Sequence, residues 1–131
     1  MVIDTSALIA ILFGEPEAGR FIAAIADDST RLIGAPTLVE AGAVMIAKTG
    51  LTGSVALDAL IQRLDLKVEP FSDTAADFAR SGYAKYGKGV GSPSVLNYGD
   101  CLSYGVAQAL SQPLLFKGDD FSRTDVPAAP Y

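Results

Sequence analysis

The sequence predicts an α/β domain built around a small, mostly parallel central sheet. Short apolar runs of strand length alternate with longer stretches whose apolar residues recur at helical spacing. Such alternation is typical of a parallel sheet covered by helices. The chain has 131 residues and shows no internal repeat, low-complexity tract or interdomain linker. We therefore expect residues 1–131 to form a single domain.

The predicted strands are short and apolar. They cover residues 1–3, 31–34, 67–71 and 113–116, and residues 124–126 are a candidate for a last short strand. Pro70 lies in the third of these runs. Because proline cannot donate a hydrogen bond to a neighbouring strand, we expect this strand near an edge of the sheet.

The predicted helices lie between these strands. They cover residues 6–12, a stretch that opens at Glu15 and ends at Asp27, residues 36–48, residues 52–64, a stretch capped by Ser72 that runs through Tyr86, and a stretch beginning at Asp100. Residues 36–48 are apolar nearly all round, which predicts a buried helix. Residues 87–97 are rich in glycine and serine and form the longest predicted loop.

The residue types exclude several kinds of chemistry. The chain contains no histidine and one cysteine, Cys101, so histidine-dependent triads, histidine zinc sites and thiolate metal cages are impossible. The groups that remain are carboxylates, hydroxyls and amines, which as ligands suit Mg²⁺ or Mn²⁺. The net charge of −5 argues against binding nucleic acid by phosphate neutralisation alone.

The apolar content bears on partners and location. Half of the residues are hydrophobic, which predicts either a large core or an apolar surface that meets a partner. No apolar run approaches the roughly 20 residues of a membrane span, and no basic leader precedes the first one. With a single cysteine, expected to be a small buried hydrophobe, the sequence predicts a cytoplasmic protein.

Acidic residues recur where predicted strands and loops lead into helices. Asp4 follows the first strand, and Asp100 follows Asn97 at the start of a helix; for both, helix capping is an alternative role. Glu40 lies inside the apolar helix, where an unpaired carboxylate is costly. Either it belongs to a site or it pairs with a partner such as Arg31.

Two further acids, Asp119 and Asp120, follow the strand at residues 113–116, and one of them is expected to cap the turn through Phe121. Crowded carboxylates raise one another's pKa unless a cation neutralises them. A divalent metal removes this penalty, activates a water molecule and binds a phosphodiester. Metal-assisted phosphodiester hydrolysis is therefore the reaction class that best fits these residues.

Four stretches carry a resemblance to a known family. They are Met-Val-Ile-Asp-Thr-Ser-Ala at residues 1–7, Glu40 in its apolar helix, Asn-Tyr-Gly-Asp-Cys at residues 97–101, and Pro-Leu-Leu-Phe-Lys-Gly-Asp-Asp-Phe at residues 113–121. In this order they resemble a PIN-domain nuclease, and most closely the VapC-type toxins of bacterial toxin–antitoxin pairs. The resemblance covers essentially the whole chain in length, element order and spacing.

The resemblance implies a three-layer α/β/α fold and a Mg²⁺- or Mn²⁺-dependent endoribonuclease. Such enzymes commonly cut tRNA or ribosomal RNA, are held inactive by a VapB-type antitoxin, and are usually homodimers. By position, Asp4, Glu40 and Asp100 correspond to the three main acids that hold the metal. Asp4 and Asp100 are the expected direct ligands, while Glu40 acts directly, through water, or by orienting the attacking water.

The fourth acid departs from the family pattern. Many members place it two residues before the final Asp-Phe, where this chain has Gly118. We expect Asp119 to take this role and Asp120 to be structural. The Thr5 or Ser6 hydroxyl is expected to support the metal site, as the matching positions do in the family.

Surface residues near these acids suggest how RNA is bound. The candidate cations for phosphate contact are Arg80, Lys85, Lys88, Lys117 and Arg123, with an ordinary solvated surface as the alternative for each. Tyr98 could stack on a base, although a core or interface role is the simpler expectation.

Two other functions compete with the nuclease. One is a catalytically inactive PIN-like module that only binds an antitoxin or RNA, which the intact acid set disfavours. The other is a phosphatase that forms an aspartyl phosphate on Asp4. Haloacid-type phosphatases need a second acid two residues after the nucleophile, and this chain has Ser6 there.

Overall fold

Four short strands form one fully parallel sheet in the computed structural model, which describes residues 1–131. The strands are β1 (Val2–Ile3), β2 (Leu32–Gly34), β3 (Lys67–Glu69) and β4 (Leu114–Leu115). Their order is β3-β2-β1-β4, so the N-terminal strand is central and β3 is at an edge, as predicted. The α/β class and the parallel sheet are thereby confirmed.

Six helices surround the sheet, close to their predicted positions. They are α1 (Thr5–Leu12), α2 (Ala18–Asp27), α3 (Ala35–Thr49), α4 (Leu51–Arg63), α5 (Asp73–Tyr86) and α6 (Tyr98–Ala109). The predicted cap of α5 is confirmed, because the Ser72 hydroxyl oxygen accepts a hydrogen bond from the Ala75 backbone N–H. None of these helices is long and apolar enough to cross a membrane.

The sheet separates two hydrophobic cores. Successive residues of a strand point to opposite faces, and accordingly Ile3, Ile33 and Leu115 pack with α1 to α4 on one side. Val2, Leu32 and Leu114 pack with α5, α6 and the C-terminal segment on the other. This arrangement is the three-layer α/β/α architecture that the family resemblance implies.

The expectation that the helix at residues 36–48 is buried all round is wrong. Only Thr37, Ala41 and Met45 of α3 are buried, while Val39 is 72% exposed. The helix packs against the sheet, α1, α4 and α6, and its face with Val39, Ala43 and Ile46 stays exposed. Its apolar composition therefore reflects both a core face and an exposed apolar face.

The C-terminal segment also differs from the prediction. Residues 124–126 do not form a strand; Phe121–Arg123 is a 3-10 turn, and an isolated bridge from Leu114 to Ala128 joins the segment to the sheet. Asp125 anchors this C-terminal segment to α6, because its carboxylate accepts hydrogen bonds from the Tyr104 hydroxyl at 2.7 Å and from the Gln108 amide at 3.0 Å.

Helices α5 and α6 approach closely because glycine occupies their contact. A Cβ atom on Gly105 would lie 2.4 Å from the Ala75 carbonyl oxygen and 2.9 Å from the Ala79 Cβ. On the other helix, a Cβ on Gly82 would lie 2.6 Å from the Tyr104 ring. All three distances are shorter than van der Waals contact, so neither position accepts a larger residue without moving its neighbours.

We predict that Gly105→Ala lowers the free energy of unfolding by about 1–3 kcal/mol, the usual cost of overpacking a core. The matched control is Gly19→Ala in α2, where a Cβ would meet nothing within 4 Å. This control should raise stability by roughly 0.5–1 kcal/mol, because alanine is the better helix former. Urea unfolding of both variants measures the difference, and equal stabilities would contradict the close helix contact.

Candidate active site

Asp4 occupies the junction between the central strand and α1. Its backbone N–H donates to the Leu115 carbonyl in β4 at 2.9 Å, and the residue is buried. The side chain caps α1, since Oδ2 accepts from the Ser6 backbone N–H at 2.9 Å and from the Ser6 hydroxyl at 2.6 Å. Both donors use the same oxygen, which leaves Oδ1 without a protein donor.

Ser6 connects Asp4 to the end of β4. Its hydroxyl O–H donates to Asp4 Oδ2, and its oxygen accepts from the Lys117 backbone N–H at 2.9 Å. The sequence predicted that the Thr5 or Ser6 hydroxyl supports the metal site, but it did not predict the link from Ser6 to Lys117. A hydrogen bond between residues 111 positions apart leaves no local pattern in the sequence.

The Glu40 side chain, in α3, contacts Thr5, the residue that follows Asp4. The Thr5 hydroxyl donates to Glu40 Oε2 at 2.9 Å. Burial raises the pKa of the Glu40 carboxyl, the Thr5 hydrogen bond lowers it in part, and the Asp4 carboxylate raises it further. The alternative that Arg31 pairs with Glu40 is wrong, because the Arg31 guanidinium donates to the backbone carbonyls of Asp28 and Ala26.

Asp100 lies in the first turn of α6 as one half of a capping box. Its Oδ2 accepts from the Asn97 backbone N–H at 2.8 Å, and its own backbone N–H donates to Asn97 Oδ1 at 2.8 Å. Burial raises the pKa of Asp100 to about 6. The carboxylates of Asp4 and Asp120 raise it as well, while the Asn97 backbone and Lys88 lower it.

These contacts bring Asp4, Glu40 and Asp100 into one region, where the Asp4 charge acts on both of the others. No ion pair of the structure involves any of the three. As the side chains stand, no three His, Cys, Asp or Glu residues lie close enough together to hold a metal ion. The donors themselves fit Mg²⁺ or Mn²⁺, since they are hard oxygen ligands whose mutual repulsion a cation would relieve.

The two candidates for a fourth acid have different surroundings. Asp120 pairs with Lys88 at 3.8 Å between Oδ2 and Nζ, and its charge raises the pKa of Asp100. Asp119 uses its backbone carbonyl to accept from the Ser122 hydroxyl, and neither aspartate caps the 3-10 turn through its side chain. The surroundings therefore favour Asp120 beside Asp100, although Asp119 was the residue chosen from the sequence.

Most of the predicted cations are already paired with acids. The pairs are Arg80 with Asp77, Lys85 with Asp125, Lys88 with Asp120, and Lys117 with Glu15 and Glu17. Arg123 forms no ion pair and is exposed. Of the paired cations, Lys88 is the one whose charge acts on a site acid, because it lowers the pKa of Asp100.

A surface cavity of about 370 Å³ opens beside Glu40, and it is lined by Pro36, Val39, Glu40, Tyr98, Gly99 and Leu102. Tyr98 is 76% exposed, so it is not a core residue, whereas Cys101 is buried as expected. Gly99 lies directly against the Glu40 carboxylate. The sequence offered only a weak sign of this contact, a glycine in the first turn of a helix.

Comparison with known proteins identifies the family. The PIN domain family matches residues 1–127. Ribonuclease VapC30 of Mycobacterium tuberculosis is 46% identical over 126 residues, which cover 96% of this chain and 95% of the relative. Ribonuclease VapC28 of the same species is 43% identical over 129 residues, with 98% and 97% covered. Ribonuclease VapC of Mycolicibacterium smegmatis is 44% identical over 128 residues, with 98% of each chain covered.

Solved structures share the fold at much lower sequence identity. The crystal structure of VapC20 of Mycobacterium tuberculosis, a toxin that cleaves the sarcin-ricin loop, has a TM-score of 0.75 at 17% identity and covers 98% of both chains. VapBC2 of Rickettsia felis bound to a promoter DNA fragment has a TM-score of 0.73 at 19% identity, with 97% of this chain and 94% of the other covered.

The family match spans nearly the whole chain, and the curated relatives align with it from end to end at more than 40% identity. This chain therefore belongs to the PIN-domain family, among its VapC ribonucleases.

Proposed function

We propose that this protein is a Mg²⁺- or Mn²⁺-dependent endoribonuclease toxin that a VapB-type antitoxin neutralises. The observation that carries the proposal is the convergence of Asp4 at the start of α1, Glu40 of α3 and Asp100 of α6, none of which forms an ion pair. Such an arrangement is costly unless a cation is bound. Membership of the VapC ribonucleases supports RNA as the substrate.

In this proposal Asp4 and Asp100 hold the metal directly, and Glu40 binds it directly or through water. The metal, when bound, supplies an activated water and stabilises charge on the phosphodiester. The chain's own contacts orient the ligands: Ser6 holds Asp4, Thr5 holds Glu40, and the Asn97 backbone holds Asp100. For the fourth acid we propose Asp120, with Asp119 as the alternative.

The proposed substrate is a single-stranded segment of a folded RNA such as tRNA or ribosomal RNA. The protein is acidic overall, so phosphate recognition depends on the bound metal and a few local cations. Arg123 is exposed without an ion pair, and Lys88 lies next to the acids. An RNA substrate and a single buried thiol are consistent with action in the cytoplasm.

The proposed protein partners are the antitoxin and a second copy of the chain. The support comes from large apolar side chains at the surface, which soluble monomers expose sparingly. The most exposed of them are Val39, Leu51, Val55, Val90 and Tyr98. Structures of related toxins include complexes with antitoxins, among them one from Klebsiella pneumoniae.

The first test is Asp4→Asn, measured as RNA cleavage with Mg²⁺ or Mn²⁺ and with EDTA. We expect cleavage to require the metal and to fall by at least about 100-fold in the variant, since losing one electrostatic contact in an active site costs on that order. Asp58→Asn in α4, an exposed acid, is the matched control and should cleave like the wild type.

Full activity in Asp4→Asn would remove this residue from the metal site. Cleavage that persists in EDTA would contradict metal dependence. A folded wild type that cuts no RNA with either metal would favour the inactive binding module instead.

The second test compares Asp119→Asn with Asp120→Asn, which make the same charge change at adjacent exposed positions. We expect Asp120→Asn to reduce cleavage about 10-fold or more, because groups that support metal ligands typically contribute 10- to 100-fold. Asp119→Asn should have a much smaller effect. The reverse order would restore Asp119 as the fourth acid, and equal wild-type rates would exclude both.

A further inference from the structure

The Glu40 carboxylate is held from two sides. On one side, Thr5 donates its hydroxyl hydrogen bond to Oε2 at 2.9 Å. On the other, a Cβ on Gly99 would lie 2.5 Å from Oε1 and 2.9 Å from both Cδ and Oε2. The three nearest neighbours of that absent Cβ are thus all atoms of one carboxylate, so the space beside Gly99 is occupied by Glu40.

The backbone of α6 does not itself require glycine at this position. Gly99 is the second residue of the helix, and it is not among the glycines with positive φ, which are Gly14, Gly50, Gly89 and Gly118. Alanine is the better residue for a helix with ordinary dihedral angles. The reason for glycine must therefore lie in the contact, and the contact is Glu40.

Gly99 and Thr5 are each adjacent in sequence to one of the other acids. Thr5 follows Asp4 at the start of α1, and Gly99 precedes Asp100 in the first turn of α6. A carboxylate held between Thr5 and Gly99 therefore contacts the sequence neighbours of both other acids.

We propose that Gly99 is a positioning residue, whose missing side chain lets the Glu40 carboxylate lie between Thr5 and the first turn of α6, beside Asp100. Any side chain at position 99 displaces Glu40 while leaving every acid in the sequence. This inference rests on the proposed nuclease function for its effect on catalysis, but the contact itself does not depend on that function.

The structure allows the displacement without unfolding. The atoms that Gly99→Ala would meet are the end of a flexible side chain rather than backbone. The cavity of about 370 Å³ lined by Glu40, Gly99 and Tyr98 gives the carboxylate room to move. This situation contrasts with Gly105, where the added methyl group meets the backbone of α5.

The experiment compares wild type, Gly99→Ala, Glu40→Ala and the double variant, with Gly42→Ala as matched control. Gly42 lies in α3 two residues after Glu40, and its Cβ would meet only Leu57 Cδ2, at an ordinary 3.9 Å. Three properties are measured: unfolding temperature without metal, the ¹³C resonance of the Glu40 side-chain carboxyl, and the kcat and KM of RNA cleavage.

We expect Gly99→Ala to fold and to lower kcat by about 10- to 100-fold with little change in KM, as for a small misplacement of a catalytic group. The Glu40 carboxyl resonance should move in Gly99→Ala and stay in place in Gly42→Ala. In the Glu40→Ala background the added Gly99→Ala change should cost no further activity. In that background Gly99→Ala should also increase the unfolding temperature by more than the same substitution does in the wild type, because there is no Glu40 carboxylate to displace.

Wild-type kcat and an unmoved Glu40 resonance in Gly99→Ala would overturn the proposal. Additive losses of activity in the double variant would also overturn it, because they would show that Gly99 acts independently of Glu40. A wild type that cleaves no RNA would instead refute the proposed function. The carboxyl resonance and the difference in unfolding temperatures would then decide whether Gly99 positions Glu40.

Discussion

Repulsion among carboxylates is the constraint on which the arrangement of this protein depends. The Asp4 charge acts on both Glu40 and Asp100, none of the three forms an ion pair, and burial makes the charged forms of Glu40 and Asp100 still less favourable. The protein offsets this cost locally. Asp4 caps the N-terminus of α1 and Asp100 lies in the first turn of α6, where backbone N–H groups and the helix dipole favour negative charge. Glu40 lies within its helix and relies on the Thr5 hydroxyl.

The parallel sheet makes this meeting possible. Strands β1 and β2 are neighbours with the same direction, so the residues that follow them emerge at the same edge of the sheet. Asp4 begins α1 there, and α3 carries Glu40 from the end of β2. On the other side of β1, the Ser6 hydroxyl ties Asp4 to Lys117 at the end of β4. The segment with Asp119 and Asp120 therefore starts next to the site.

The packing of α6 determines where Asp100 lies. Helix α6 packs closely on α5 through Gly82 and Gly105, and on the sheet through Val106, which is buried. This position sets where its first turn, with Asn97, Gly99 and Asp100, meets α3. The two kinds of glycine contact differ in consequence. Gly105 meets backbone, so it bears on stability, whereas Gly99 meets a movable carboxylate, so it bears on the site.

Much of the site could be predicted because its cause is local. A strand followed by an acid and a helix, a carboxylate in an apolar helix, and Asn97 three residues before Asp100 are patterns within a few residues of sequence. The absence of histidine restricted the chemistry before any fold was known. The same local reasoning overestimated the burial of α3, since it cannot tell an apolar face that packs in the core from one that stays exposed, as at Val39.

The sequence by itself therefore determined the strand and helix order, the candidate acids and the class of chemistry. The tertiary structure decided which groups meet: Thr5 rather than Arg31 at Glu40, the Asp120 charge near Asp100, and Gly99 against the Glu40 carboxylate. The physical reason is that hydrogen bonds and charge interactions fall off within a few ångströms. Which groups come that close depends on how the helices pack on the sheet, and residues far apart in the chain carry no local signal of that packing.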